Sequence, residues 1–150
     1  MKILITGVAG FIGFSLANYL IDKQRNVEVF GIDNYDNYYS VSLKKKRIAI
    51  LNKNKNFLFS KIDITNNNNL KKYFKNKNFD MVFHFAAQAG VRYSLINPKK
   101  YINVNIYGFL NLINCIKENK INKFIYASSS SVYGESKKFP LKETGVTSPK

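Results

Sequence analysis

Short apolar runs alternate with polar segments along the chain. Five of the runs are short and rich in β-branched and aromatic residues, which is typical of buried parallel strands: residues 2–6, 26–33, 57–63, 79–86 and 123–129. Four segments between them carry the apolar spacing of helices: 11–21, 40–53, 65–77 and 98–120, the third capped near Thr65. This alternation predicts an α/β fold with a doubly wound parallel sheet and ligands at the carboxyl ends of its strands.

Three glycines, Gly7, Gly10 and Gly13, lie between the first strand and the first helix. A secretory signal peptide is one interpretation, because Lys2 precedes an apolar stretch. However, each glycine costs about 1 kcal/mol of helix propensity, which disfavours the continuous helix of a signal core. A strand–glycine–helix junction instead favours a phosphate-binding loop, where the helix N-terminus offers free N–H groups. The spacing G-x-x-G-x-x-G differs from the common G-x-G-x-x-G, so support has to come from further residues.

The second predicted strand, NVEVFGID, ends at Asp33, 20 residues after Gly13. An acidic side chain at this position accepts hydrogen bonds from the adenosine ribose of a dinucleotide and repels a 2′-phosphate. The pattern therefore favours NAD over NADP. A solvated aspartate at a strand end is the alternative.

Composition narrows the class of protein. With 45% hydrophobic and 15% aromatic residues in 150, the chain is not disordered, and no run of 18 apolar residues predicts a membrane span. The single cysteine, Cys115, rules out an intrachain disulfide and favours a cytoplasmic location; we expect it to be a buried structural thiol. No metal-ligand spacing occurs.

The net charge of +15 raises the possibility of nucleic-acid binding. Only three of the 24 basic residues are arginines, and the lysines are spread along a chain that also holds 20 asparagines. Lysines on solvated faces explain this pattern better than a specific nucleic-acid site, although nonspecific binding at low salt is compatible with it.

The helix predicted over 98–120 has more apolar residues than one buried stripe requires. One set is expected to face the sheet: Tyr101, Val104, Gly108, Leu112 and Cys115. A second set lies on another side: Ile102, Ile106, Phe109, Ile113 and Ile116. The second face needs a cover, either another segment of a longer chain or a partner subunit.

Four stretches together resemble the extended short-chain dehydrogenase/reductase family: TGVAGFIG, GIDNYDNYYSVSLKKKRI, HFAAQAGVRYSLINPKKYINVNIYGFLNLI and YASSSSVYG. They are most similar to the UDP-glucuronate 4-epimerase branch of the NAD-dependent sugar-nucleotide epimerases. The resemblance covers nearly the whole chain. It implies that residues 1–150 form an NAD-binding, Rossmann-like domain that stops before a sugar-nucleotide domain. It also implies a full-length homodimer that pairs through the helix near 98–120.

The resemblance implies site residues at matching positions. The pyrophosphate would lie on Gly7, Gly10, Phe11, Ile12 and Gly13, and the adenosine ribose on Asp33 and Asn34. Asp63 and Ile64 would flank the adenine, and the nicotinamide side would be lined by Phe85, Ala86, Ala87 and Gln88. Ser129 matches the catalytic Ser/Thr; from the residues alone, SSSS is simply a flexible turn.

The activity that the resemblance implies is 4-epimerisation of a UDP-sugar through a 4-keto intermediate, with UDP-glucuronate giving UDP-galacturonate. UDP-glucose or UDP-galactose as substrate, or a dinucleotide-binding fragment without catalysis, are the alternatives. Such enzymes use a Tyr-x-x-x-Lys pair as the base. The only pair with this spacing near the motif, Tyr133 and Lys137, falls in the VYG turn, so we expect these 150 residues to be inactive alone.

Three further positions are expected to contact substrate. Arg92 and Ser94 are candidates for the carboxylate or diphosphate end of the UDP-sugar, and Ser130 follows the catalytic hydroxyl. Related dehydratases and decarboxylases have acidic residues at the positions of Ser130 and Ser131, and their absence favours epimerisation. The single histidine, His84, lies in a predicted buried strand and is expected to be structural rather than a general base.

Overall fold

The computed structural model describes residues 1–24, 26–134, 139–145 and 147. Five strands are present: β1 (Lys2–Thr6), β2 (Glu28–Asp33), β3 (Phe57–Lys61), β4 (Met81–His84) and β5 (Phe124–Tyr126). They form one sheet in the order β3-β2-β1-β4-β5, and every pairing is parallel. The predicted doubly wound parallel sheet is confirmed, and the switch in strand order lies beside β1, where such folds bind ligands.

The helices are α1 (Phe11–Lys23), α2 (Val41–Leu51), α3 (Asn67–Phe74), α4 (Val91–Ile96), α5 (Pro98–Tyr101) and α6 (Phe109–Glu118). A π-helical segment (Ile102–Gly108) joins α5 to α6, so the helix predicted over 98–120 is one helical run with a widened middle. A 3-10 turn (Ser130–Tyr133) follows β5. The short α4 was not predicted, and the N-cap of α3 is Asn66, one residue after the expected Thr65.

Two hydrophobic layers cover the sheet. Alternation along β1 sends Ile3 and Ile5 to one layer with α1 and α2, and Leu4 to the other layer with α3 and α6. Cys115 is fully buried in the second layer, as predicted, and burial raises the pKa of its thiol to about 11. The central strands β1 and β2 are thus packed on both faces, and loops form the carboxyl edge of the sheet.

The long helical run buries a wider stripe than the sequence indicated. Gly108, Leu112 and Cys115 are buried as predicted, but Ile116, which was assigned to the outer face, is buried too. Ile116 lies four residues after Leu112, so both belong to the same helical stripe. The outward assignment of Ile102 and Ile106 agrees with the structure, where both are exposed.

Candidate functional site

The glycine-rich loop turns sharply between β1 and α1. Gly7 has φ +69°, and its N–H donates to the carbonyl of Ile32 on β2 at 2.8 Å. A Cβ at Gly7 would lie 2.6 Å from the backbone nitrogen of Ala86, in the segment after β4. Glycine is therefore required here on two grounds, since the backbone is left-handed and another backbone segment is in contact. This packing brings the ends of β1, β2 and β4 together.

Helix α1 begins directly after the loop, with Gly10 as its N-cap. No side chain of the described residues caps this end, so its first N–H groups are left free at the carboxyl edge of the sheet, where α1 begins. Phe11 and Ile12 in the first turn are exposed. A free helix N-terminus behind a glycine loop suits a phosphate group, both for its N–H donors and for its dipole.

Asp33 ends β2 beside this loop and is 8% exposed. One carboxylate oxygen accepts the N–H of Ala9 at 3.1 Å, and the other accepts the N–H of Tyr35 at 2.8 Å. The carboxylate thus ties the glycine-rich loop to the loop after β2. Each oxygen has a further lone pair, which leaves Asp33 able to accept hydrogen bonds from a ligand in the cleft.

Asn34 and Asp63 are joined across the ends of β2 and β3. The Asn34 amide donates to Asp63 at 2.8 Å, and both the N–H and the hydroxyl of Thr65 donate to the other Asp63 oxygen. Burial opposes ionisation of Asp63, but these hydrogen bonds outweigh burial and hold the pKa of its carboxyl below the ordinary value. Asp63 is therefore a fixed carboxylate at neutral pH.

Thr6 and His84 organise the segment after β4. The Thr6 hydroxyl accepts the N–H of Ala86 at 3.2 Å and shares a 2.6 Å hydrogen bond with Nδ1 of His84. Burial lowers the pKa of His84 to about 4, so the imidazole is neutral at pH 7. The ring packs against Phe109 and Phe124. This agrees with the prediction of a structural histidine.

Two asparagines of the long helical run hold the loops of the carboxyl edge. The side-chain amide of Asn105 makes two hydrogen bonds to the backbone of Gln88. It accepts the backbone N–H at 2.8 Å and donates to the backbone carbonyl at 3.0 Å. Asn111 donates to the carbonyls of Ile64 and Thr65. The same helical run therefore fixes the segments after β3 and β4.

These elements enclose a cleft of about 360 Å³ along the carboxyl edge. All thirteen residues predicted to bind the dinucleotide line it: Gly7, Gly10, Phe11, Ile12, Gly13, Asp33, Asn34, Asp63, Ile64, Phe85, Ala86, Ala87 and Gln88. The lining also includes residues that the sequence analysis did not assign to a binding site: Asp36, Tyr38, Tyr39, Lys44, Ile62, Ala89, Val104 and Ala127. The only signal for several of these was their place in the stretch GIDNYDNYYSVSLKKKRI.

The residues predicted for catalysis and substrate binding are not part of this lining. Ser129 is exposed after β5, and its Oγ accepts the N–H of Ser131 at 3.2 Å as the cap of the 3-10 turn that Ser130 begins. Arg92 and Ser94 lie on α4, where the Ser94 hydroxyl donates to the carbonyl of Val91. Lys137, the second residue of the Tyr133–Lys137 spacing, lies outside the described residues.

Membrane-spanning helices and metal clusters are absent from the part of the chain that the structure describes. Across residues 1–24, 26–134, 139–145 and 147, none of the helices has the length and apolar character needed to cross a membrane. Over the same ranges, no three His, Cys, Asp or Glu side chains are grouped closely enough to hold a metal ion.

The sequence of the chain is similar to that of two relatives over more than nine tenths of its length. Protein CapI of Staphylococcus aureus is 50% identical over 141 residues, which cover 94% of this chain and 41% of CapI. The UDP-glucuronate 4-epimerase of Thermodesulfobacterium geofontis is 44% identical over 137 residues, covering 91% of this chain and 42% of that protein. The chain thus spans about two fifths of the length of these relatives.

Solved structures agree with these relatives. The crystal structure of UDP-glucuronic acid 4-epimerase from Bacillus cereus, in complex with UDP-glucuronic acid and NAD, matches with a TM-score of 0.87 and 37% identity. The match covers 99% of this chain and 46% of that one. A sequence profile of the family described as GDP-mannose 4,6 dehydratase extends from residue 4 to residue 150, and so the chain belongs to that family.

Proposed function

We propose that this chain forms the dinucleotide-binding domain of an NAD-dependent UDP-sugar 4-epimerase that converts UDP-glucuronate to UDP-galacturonate. The observation that carries the proposal is a cleft at the carboxyl edge that is lined by all thirteen expected dinucleotide-binding residues. The similar Bacillus cereus enzyme was crystallised with NAD and UDP-glucuronic acid, which supports both the cofactor and the substrate class.

The cleft fits a dinucleotide at each of its parts. Gly7 leaves no room for a side chain beside Ala86, and the free N-terminus of α1 faces the same space, so a pyrophosphate has both access and N–H donors. Asp33 holds the adenosine ribose, while Asp63 and Ile64 flank the adenine. Phe85, Ala86, Ala87 and Gln88 form the nicotinamide side. A bound NAD supplies a reversible hydride acceptor for the sugar C4.

NAD is preferred to NADP because of Asp33. Its carboxylate is buried and held by two backbone N–H groups, so it cannot swing away from a 2′-phosphate. The repulsion between two anions in a buried site disfavours NADP.

Epimerisation is favoured over dehydration or decarboxylation by Ser130 and Ser131. These positions follow the proposed catalytic hydroxyl of Ser129 and carry no carboxylate that could move a proton on the sugar. The sugar oxidised at C4 is then simply reduced again from the other face. Ser129 and Ser130 lie after β5, next to the edge where ligands of parallel sheets bind, and Arg92 and Ser94 on α4 would contact the UDP-sugar.

No Tyr-x-x-x-Lys pair, the base of the enzymes that the chain resembles, occupies a suitable place in residues 1–150. A positioned general base contributes about 10²- to 10⁴-fold to rate, so the 150-residue chain is expected to be inactive. The test is a chimera that joins residues 1–150 to the carboxyl-terminal part of the Bacillus cereus enzyme. With UDP-glucuronate and NAD it should form UDP-galacturonate, followed by NMR; formation of a UDP-pentose, or action on UDP-glucose alone, would contradict the proposal.

A second copy of the chain is the proposed partner of the long helical run. Ile102, Ile106, Tyr107 and Leu110 are exposed along one side of it, and Ile106 is 59% exposed. A helix face that runs along one element suits an isologous contact with the same face of a second copy. Sedimentation of the chimera should show a dimer, and replacing Ile106 and Leu110 with Lys should yield a monomer. Monomeric behaviour of the unmutated chimera would contradict this contact.

A further inference from the structure

Lys44 is a buried lysine on the inner side of α2. It is 5% exposed and lines the dinucleotide cleft, although its neighbours Lys45 and Lys46 on the same helix are exposed. Its ammonium donates to the backbone carbonyl of Asp36 at 2.7 Å and lies 4.3 Å from the centre of the Tyr39 ring. The charge is therefore held at the wall of the cleft by two specific contacts.

The ammonium of Lys44 has no carboxylate within 4 Å among the residues for which the structure gives positions; Asp36 pairs with Lys100 instead. An ammonium has three N–H donors, and one acceptor at hydrogen-bond distance is found in the described part of the chain. The charge of Lys44 also acts on the Asp36 carboxylate, but from beyond ion-pair distance, since that carboxylate is bonded to Lys100. The buried ammonium is therefore incompletely paired, which is costly, and an anion in the cleft would complete its pairing.

The position of Lys44 indicates which part of the ligand it meets. The ammonium of Lys44 lies over the Tyr39 ring. The hydroxyl of that ring lies beside Gly10, 3.8 Å from where a Cβ of Gly10 would be. That hydroxyl also lies 3.5 Å from the carbonyl oxygen of Ala9 in the glycine-rich loop. Lys44 therefore belongs to the phosphate end of the cleft, near the N-terminus of α1, rather than to the nicotinamide end.

We propose that Lys44 binds an anionic phosphate of the adenosine diphosphate half of the dinucleotide. This inference rests on the proposed dinucleotide site and adds a cationic residue to it. A scaffold role alone, in which Lys44 only holds the loop after β2 to α2, makes a different prediction. Loss of a scaffold weakens charged and uncharged ligands alike, whereas loss of a phosphate contact weakens only the charged ones.

The test compares adenosine and ADP as probes, with binding measured by calorimetry on the purified chain. Lys44→Gln should lower the affinity for ADP and NAD about tenfold, as expected for one charge-assisted hydrogen bond, and leave adenosine within about twofold. Lys45→Gln is the matched control, because it removes the same charge from an exposed position of the same helix, and it should leave all three affinities within about twofold.

Three results would overturn the inference: equal losses for adenosine and ADP in Lys44→Gln, no loss for either, or the same loss in Lys45→Gln. If Lys44→Gln fails to fold, the unmutated chain decides instead. Its Lys44 ¹⁵Nζ resonance, assigned with Lys44→Arg, should shift with ADP and stay in place with adenosine, and shifts with both or neither would refute the contact. A chain that binds neither ADP nor NAD refutes the dinucleotide site itself, whereas NAD binding that is insensitive to Lys44 refutes only this residue's role.

Discussion

The carboxylate of Asp36 lies 2.7 Å from the ammonium of Lys100, so an ion pair joins the loop after β2 to α5. Beside it the rings of Tyr38 and Tyr93 pack with centroids 5.0 Å apart. Because β1 lies between β2 and β4 in the sheet, these contacts cross the carboxyl end of β1, where the glycine-rich loop lies. A dinucleotide reaching along the same edge would lie beside this crossing.

Breaking the Asp36–Lys100 pair should speed the release of NAD. Both side chains are partly buried, and a pair of this kind contributes about 0.5–1 kcal/mol, or two- to fivefold in rate if release requires it to open. Asp36→Asn and Lys100→Ala change the local charge in opposite directions, so a faster release in both variants would report the pair itself. Stopped-flow displacement of a fluorescent NAD analogue measures the rate.

Lys71→Ala is the control for this experiment. It breaks the more exposed ion pair between Lys71 and Glu118, which also measures 2.7 Å but joins α3 to α6 away from the cleft. Release from this variant should match the unmutated chain. Equal release rates in Lys71→Ala and Lys100→Ala would show that the Asp36–Lys100 ion pair does not retain the cofactor.

Replacing Asn105 with Ala should destabilise the fold and loosen the nicotinamide side of the site. Gln88 loses partners for both its N–H and its carbonyl, which costs about 1–3 kcal/mol in the free energy of unfolding. Urea denaturation measures this cost. Asn114→Ala, at an exposed position of the same helical run, should stay within about 0.5 kcal/mol. A similar loss in the free energy of unfolding in both variants would mean that the hydrogen bonds between Asn105 and Gln88 do not stabilise the fold.

The sheet could be predicted from the sequence because its central strands β1 and β2 are buried on both faces and the apolar runs of all five strands are bounded by polar segments. The glycine loop and Asp33 could also be predicted, since a sharp turn and a strand end each demand a particular residue type. Both signals are local. They assign residues to the carboxyl edge of the sheet, whatever the structure of the loops beside that edge.

The remaining parts of the site depend on contacts between distant segments. The roles of Asn105 and Asn111 depend on hydrogen bonds to loops that lie 17 and 47 residues away in the sequence. Such contacts produce no periodic pattern from which they could be predicted. The sequence analysis assigned the lysines to solvated faces without distinction, and only burial against Tyr39 separates Lys44 from Lys45. Helix α4 has no buried residue among its six, so no apolar pattern could indicate it.

Acid should destabilise the protein through His84. Burial lowers its pKa to about 4 from an ordinary 6.5, so between these values the unfolded chain binds a proton that the folded chain does not. The free energy of unfolding therefore falls as the pH drops below about 6.5, by about 2 kcal/mol at pH 4.5, and is insensitive to this group above pH 7. His84→Gln should flatten the curve in this window, as measured by urea denaturation. An unchanged slope in that variant would assign the acid sensitivity to other groups.

Asp33 should determine the choice between NAD and NADP. Asp33→Ala removes the acceptor for the adenosine ribose and should weaken NAD binding by about 1–3 kcal/mol, the value of a charge-assisted hydrogen bond. NADP should lose less, because the same substitution also removes the repulsion of its 2′-phosphate, so the preference for NAD narrows. Calorimetry with both cofactors measures the ratio. Since each oxygen of the carboxylate also holds one backbone N–H, that of Ala9 or that of Tyr35, urea denaturation of Asp33→Ala measures the accompanying damage to the loop. Asp80→Ala removes an acidic residue that accepts the N–H of Lys2 at the opposite end of the sheet and should leave the ratio unchanged. Equal affinity of the unmutated chain for NAD and NADP would refute the role of Asp33 in this choice.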